Sequence, residues 1–411
     1  MRDLRCHLGY SRAMIRGLYS RWMYRWETAL TTRDTDRMVR PLEWGFESLE
    51  DFTLSSGFSG LHPPSLDPAL GEAAMLQLND FILQHRAEFF AYRSPEDFVL
   101  EQRHPRLFPT NTQPESLHLD AQLRRQAATG KLHTAQFLRF TSPVCSPYPE
   151  NNRVNARWFP APAEKMQGKR KQAIIVLPQW NADALSHNAL CSVFNRFGIS
   201  ALRLSNPYHD VRCPGGLQRA DYAVSANVGR TIAACRQAVI DIRCCIDWLS
   251  QQGYEQFGIL GTSLGSCYAF LAAAMDSRVQ VIAFNHASIS FGDVIWTGQT
   301  TQHIRAAFEA SGMTQQRLRN VWGAVCPSNY LDLFAATPRK VLLIRALYDL
   351  TFLEEHTLRL IENFRRRGVD LVSRVLPCGH YSTGKNPYKW VDGWYLVSFL
   401  YSTFKRLAEV P

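Results

Sequence analysis

The stretch Phe257-Gly-Ile-Leu-Gly261-Thr262-Ser263-Leu264-Gly265 constrains this chain more than any other. An apolar run, Phe257–Leu260, enters Gly-x-Ser-x-Gly, and a helix of small residues (Ser266-Cys267-Tyr268-Ala269) leaves it. Such a segment predicts a strand, a sharp turn and a helix, with the Ser263 hydroxyl held clear of a sheet. Glycines two residues to either side remove the Cβ atoms that would strike neighbouring backbone. The outgoing helix turns its positive end toward the serine, where negative charge is stabilised. The five-residue pattern alone arises by chance; its place between strand and helix gives it weight. A dinucleotide fingerprint is excluded, because Gly258, Gly261 and Gly265 lack the G-x-G-x-x-G spacing.

Around this turn, apolar strands alternate with helices from about Ala135 onward. Strands are predicted at Gln136–Thr141, Arg153–Phe159, Ala173–Leu177, Ser200–Leu204, Phe257–Leu260, Val279–Phe284, Val341–Arg345 and Leu371–Leu376. Helical patterns fill 185–197, 231–252, 264–275, 353–367 and 390–407. Near-continuous apolar strands separated by helices imply a parallel sheet covered on both faces. The first two strands flank Pro143, Pro147 and Pro149 and suit an antiparallel pair at a sheet edge. Between about 287 and 338 lies an insertion with two helices, near His303–Ala310 and Thr314–Val325. Insertions beyond strand ends tend to cover the ligand crevice, so this one is a candidate lid. Residues 1–133 read as a mainly helical extension (Ala73–Arg86 and Leu119–Gln126 are helical, Ser56–Pro68 a loop), and residues 134–411 as the domain that carries the chemistry.

A serine hydroxyl needs a base, and the base needs an orienting acid. Both are expected in loops at the carboxyl ends of strands, in the order serine, acid, histidine. His380, in Pro377-Cys378-Gly379-His380, follows the last strand and is the expected base. Asp349 follows Val341–Arg345 and is the expected acid. His286 and Asp293, after Val279–Phe284, compete for the acid's place. His303 and His356 read as packing or surface histidines, and Glu354 and Glu355 as acids opening a helix. An oxyanion hole would use the backbone N–H of Leu264 and one from Pro178-Gln179-Trp180-Asn181, with Trp180 taken over Gln179 without a firm discriminator.

Composition narrows partners and compartment. The formal charge is +10, which favours anionic surfaces but does not fix fold or chemistry. Lys and Arg are scattered and form no nucleic-acid motif, so no nucleic-acid partner is expected. Ten cysteines lie at irregular positions without a C-x-x-C pair; several sit in apolar helical patterns as small hydrophobes, and a reducing, cytoplasmic setting is the simpler expectation. No cluster of His and Cys has metal-ligand spacing, so neither metal nor cofactor is expected. No apolar run reaches the ~18 residues of a membrane span. Near the start, Arg2, Arg5, Arg12, Arg16, Arg21 and Arg25 interrupt any signal-peptide core. Met14, Ile15, Leu18, Tyr19, Trp22, Met23 and Trp26 recur between them at helical spacing. A basic amphipathic helix of this kind can lie on a membrane surface, but packing of its stripe on the protein itself is preferred here.

Over roughly 136–407 these features resemble the α/β-hydrolase superfamily, on Gly261–Gly265, on Asp349 after its strand and on Gly379-His380. The chain also looks like the branch labelled α/β-hydrolase domain-containing protein eighteen, through Ser142-Pro143, Ala156-Arg157-Trp158 and Asn206-Pro207-Tyr208-His209-Asp210-Val211-Arg212-Cys213-Pro214. In that last block, His209 and Arg212 either border the pocket or make a structural turn. The resemblance implies an α/β-hydrolase fold and cofactor-free hydrolysis of an acyl ester or amide. An esterase or lipase-like enzyme acting on a small-molecule or lipid ester is the leading expectation. A peptidase or acyltransferase with the same three residues, and a non-catalytic binding protein, are the alternatives.

Overall fold

The computed structural model describes residues 2–33, 37–50, 67–103 and 134–409, with a few isolated positions between them and with side chains from residue 17 to residue 408. The expected helix at 119–126 and the loop at 56–68 lie mostly outside the described residues.

Nine strands form one sheet: β1 (Val99–Arg103), β2 (Ala135–Thr141), β3 (Arg153–Phe159), β4 (Gln172–Leu177), β5 (Ile199–Leu204), β6 (Gln256–Thr262), β7 (Val279–Asn285), β8 (Lys340–Ala346) and β9 (Asp370–Leu376). Their spatial order is β1-β2-β3-β5-β4-β6-β7-β8-β9. From β5 to β9 every pairing is parallel, whereas β1, β2 and β3 run antiparallel. The expected pair β2–β3 is present, but it is not the edge. β1 pairs outside it, with Leu100 opposite Leu138. Residues 1–133 therefore supply a strand as well as helices, and they are stitched into the same sheet. β1 carries Glu101, Gln102 and Arg103 and is largely exposed, as an edge strand is.

The parallel strands are apolar throughout because they bury both faces. Side chains alternate across a strand, so Ala173, Ile175 and Leu177 of β4 enter one core while Ile174 and Val176 enter the other. In β8, Val341 and Leu343 separate from Leu342 and Ile344 in the same way. The helices Val228–Gln251, Leu264–Met275 and Glu354–Arg366 cover the first face; Asn188–Arg196, the last helix Tyr388–Glu409 and part of the first helix Arg2–Thr31 cover the second.

The insertion at 287–338 is richer than expected, with helices at Phe291–Thr297, Gln302–Ala310, Gln315–Val321 and Leu331–Ala335. Phe308, Leu318, Trp322 and Tyr330 are fully buried, so the insertion is packed onto the body. Among the described residues, no helix is long and apolar enough to cross a membrane.

Candidate active site

Ser263 stands where β6 becomes the helix Leu264–Met275, at φ 56° and ψ −118°. An L-residue rarely adopts such angles, and they persist only where the surroundings enforce them. The surroundings here are backbone. A Cβ on Gly261 would lie 2.3 Å from the Gly265 carbonyl oxygen, and one on Gly265 would lie 2.4 Å from that of Leu177. Ser263 N–H donates to Asn285 O at 2.8 Å. Both glycines are thus sterically required, and the second lets the end of β4 press against the serine turn.

His380 and Asp349 come from the loops after β9 and β8. His380 Nε2 lies 3.1 Å from Ser263 Oγ, and His380 Nδ1 lies 2.9 Å from Asp349 Oδ2. The other carboxylate oxygen, Oδ1, accepts the N–H groups of Thr351 and Phe352 at 2.8 and 2.7 Å. Burial opposes the Asp349 charge, but the two histidines beside it outweigh burial and hold its carboxyl well below the usual range. Burial likewise opposes a charged His380, yet Asp349 wins and raises His380 above an ordinary imidazole. The pair is therefore an ionised carboxylate orienting a histidine of enhanced basicity. The stacked Phe352 ring, 5.3 Å away and 5° from parallel, fixes the imidazole plane.

The competing residues are separated by the structure. Asp293 lies in the first helix of the insertion, where Arg319 and Gln315 (2.7 Å) donate to its Oδ1. His286 is closer to the chemistry than the sequence suggested. Its Nδ1 lies 3.2 Å from Asp349 Oδ2, the oxygen that His380 uses, and its ring is 4.5 Å from the His380 ring. Burial, with the neighbouring His380, lowers His286 against the opposing pull of Asp349. His286, Asp349 and His380 place ligand-type atoms within 4.8 Å of one another; the closest approach, His380 Nδ1 to Asp349 Oδ2, is already a hydrogen bond. His303 stacks on Trp180, and His356 meets Thr297 Oγ1 at 3.0 Å; both pack rather than join the series.

A cavity of about 630 Å³ opens at Ser263. Gln179, Trp180 and Leu264 all line it, so both expected sources of oxyanion donors lie against it. The Leu264 amide is the first of its helix, where helix geometry leaves N–H groups without an intrahelical partner. The Trp180 indole N–H is committed elsewhere, donating to Ala220 O at 2.9 Å, so an oxyanion donor from this residue would have to be its main-chain N–H. The insertion supplies apolar side chains (Phe291, Val294 and Ile295) together with hydroxyls (Ser288, Ser290, Thr300 and Thr301).

His209 and Arg212 do not border this cavity. Arg212 is fully buried beside Asp241, at 2.8 Å, and donates to the carbonyls of Asn151 and Ser205. His209 is buried, its Nδ1 2.8 Å from Pro207 O. The block after β5 is a structural turn, because a guanidinium can satisfy several carbonyls at once where a loop leaves an interior strand.

One contributor was missed. Glu27 of the first helix is fully buried and accepts from Tyr381 N, Ser382 N and Ser382 Oγ at 2.7, 3.0 and 2.9 Å. It thus clamps the turn that carries His380. A signal existed: Tyr19, Met23, Glu27 and Thr31 recur every four residues, and an acid inside an apolar stripe asks for a buried partner.

No protein-family model matches the chain. Two curated Escherichia coli proteins, each described as an uncharacterized 31.7 kDa protein in the traX-finO intergenic region, are 36% and 35% identical over 83 residues, 20% of this chain. That match spans 28% of their length. Among solved structures, acetyl xylan esterase 1 from Thermoanaerobacterium superposes with a TM-score of 0.52 at 14% identity, covering 82% of this chain and 95% of that one. Pyrococcus horikoshii acylaminoacyl peptidase gives 0.51 at 12% identity, covering 67% of this chain and 42% of that one. At such identities the likeness establishes the fold, which is the α/β-hydrolase fold.

Proposed function

Given that fold, we propose that the chain is a serine hydrolase that cleaves a carboxylic ester through an acyl-enzyme on Ser263. The observation that carries the reading is the unbroken series from Asp349 Oδ2 through His380 to Ser263 Oγ, at 2.9 and 3.1 Å, opening on a cavity lined in part by apolar side chains. His380 takes the Ser263 proton as Oγ attacks the carbonyl carbon. The oxyanion is held by the Leu264 N–H and by one from Gln179 or Trp180. Collapse expels the alcohol, which receives the proton from His380, and water then releases the acid by the same steps reversed. Asp349 stays ionised throughout, fixing the tautomer that leaves Nε2 free.

In this reading residues 134–411 form the catalytic domain, 287–338 its lid, and 1–133 a supporting extension. Within that fold, the block Asn206–Pro214 supports a place in the branch labelled α/β-hydrolase domain-containing protein eighteen. A fluorophosphonate probe and a panel of p-nitrophenyl esters of graded chain length test the hydrolase reading. Wild-type protein should be labelled and turn over at least one ester, and Ser263→Ala, folded by circular dichroism, should do neither. Wild-type turnover in Ser263→Ala would remove the mechanism. Rapid transfer of the acyl group to an added alcohol would make the enzyme an acyltransferase instead.

A further inference from the structure

Part of the cavity lining, contributed by the end of β7 and the last helix, is polar and incompletely paired. Asn285 ends β7 beside the serine turn, and its Nδ2 donates to Asp392 Oδ2 of the last helix at 2.9 Å. Asn285 Oδ1 and Asp392 Oδ1 are buried without a protein partner, in residues only 4% and 9% exposed. Both residues line the cavity. Among its described lining residues Asp392 is the one Asp or Glu and Lys389 the one Lys or Arg. The Lys389 ammonium lies 5.1 Å from the centre of the Trp390 ring, which is 70% exposed, so that charge is drawn toward solvent.

We infer that this part of the lining is a recognition subsite for a primary ammonium group on the ester substrate, received by Asp392 Oδ1 and Asn285 Oδ1. The inference rests on the proposed hydrolase reading and names its substrate class. Two acceptors without donors, on side chains hydrogen-bonded to each other, ask for a group that gives several protons and brings positive charge. An ammonium offers three N–H donors and no acceptor, whereas a hydroxyl offers a single proton. Burial pushes the Asp392 carboxyl up to about 7 against the Asn285 hydrogen bond, as expected of a buried acid lacking a counter-charge. A cation supplies that charge, and hydrogen bonds between charged partners are the strong ones. The backbone link from Ser263 N–H to Asn285 O places the subsite beside the nucleophile, so a short linker spans from ester to ammonium.

Matched methyl esters test this. The ω-aminoalkanoates of three to six carbons are compared with alkanoates in which a methyl replaces the ammonium, and with their trimethylammonium counterparts. Wild-type kcat/KM should favour one ammonium ester over its alkyl partner by about 10- to 100-fold, as hydrogen bonds to charged groups allow. The trimethylammonium ester, with charge but no donor, should lose most of that preference. In Asp392→Asn the ratio of ammonium to alkyl rates should fall toward one, whatever the absolute rates. Independently of turnover, n-alkylammonium should stabilise Ser263→Ala protein against heat more than the matching alcohol does. Hydrolysis of both ester types at equal rates overturns the subsite and leaves the hydrolase reading standing. Ammonium-specific stabilisation of a wild-type protein that hydrolyses no ester does the reverse.

Discussion

At the residue scale, the acid is the member of the series that local sequence decides least. Asp349 and Asp293 each follow a strand of the parallel sheet, and their immediate contexts are both acceptable. The structure separates them by what surrounds each carboxylate: two imidazoles and two backbone amides at Asp349, a guanidinium and an amide side chain at Asp293. Removing an acid that orients a catalytic imidazole costs on the order of 10⁴ in turnover. Asp349→Asn should therefore fall by several orders of magnitude, and Asp293→Asn should stay within a modest factor of wild type. Steady-state rates on one confirmed ester decide it, and the reverse ranking would move the acid to Asp293. The pH profile gives a second reading. The base acts unprotonated, so kcat/KM declines as pH falls through the His380 pKa. Asp349 raises that value, so the acid limb should lie above 6.5, the ordinary imidazole value. In Asp349→Asn any residual activity should show the limb displaced to lower pH; an unmoved limb would assign it to another group.

At the scale of elements, strands were legible where burial on both faces writes a continuous apolar run. β3 and the helix after Ser263 have the predicted bounds, and the other predicted strands differ by a residue or two at their ends. β1 was illegible because an exposed edge strand has no such run: Val99-Leu100-Glu101-Gln102-Arg103 alternates weakly and lies among polar residues. The Asp349–His286 contact and the Glu27 clamp were illegible for another reason. Each joins residues distant in sequence, and 354 positions separate Glu27 from Tyr381. That clamp predicts more than packing. Glu27→Ala would leave two amides and a hydroxyl unpaired in the turn bearing His380, at about 1–3 kcal/mol each. Melting temperature should drop by several degrees. Turnover should fall on the order of 10²-fold, as expected when a catalytic group is displaced by about an ångström. Lower stability with unchanged kcat would reduce Glu27 to a packing role. Arg212 and Asp241 provide the contrast, as a buried pair away from the cavity. Arg212→Met should destabilise by about 3–5 kcal/mol in urea titrations, the usual consequence of leaving one buried charge alone. The folded fraction should keep full probe labelling.

For the whole molecule, the first helix presents two different faces. Met23 and Glu27 are fully buried against the body, and Tyr19 Oη lies 2.6 Å from Tyr388 Oη. On the other side Leu18, Trp22 and Tyr24 are 59%, 52% and 45% exposed, next to exposed Arg21 and Arg25. The two readings of this segment, docking and membrane contact, are thus compatible, since different residues serve each. Apolar and aromatic side chains beside arginines on a chain of charge +10 suit an anionic bilayer surface, to which a partly buried amphipathic helix adds area and charge attraction together. Deleting residues 1–30 should therefore lower both melting temperature and cosedimentation with anionic vesicles. The joint variant Trp22→Ser, Arg21→Glu, Arg25→Glu separates the effects, because it alters the outer face and spares Met23 and Glu27. It should melt near wild type yet lose most vesicle binding, and wild-type binding should weaken as salt rises. If the triple variant binds vesicles as wild type does, the outer face is no membrane contact and the helix serves docking alone. If the deletion neither melts earlier nor leaves the vesicles, the segment holds neither the His380 turn nor the bilayer.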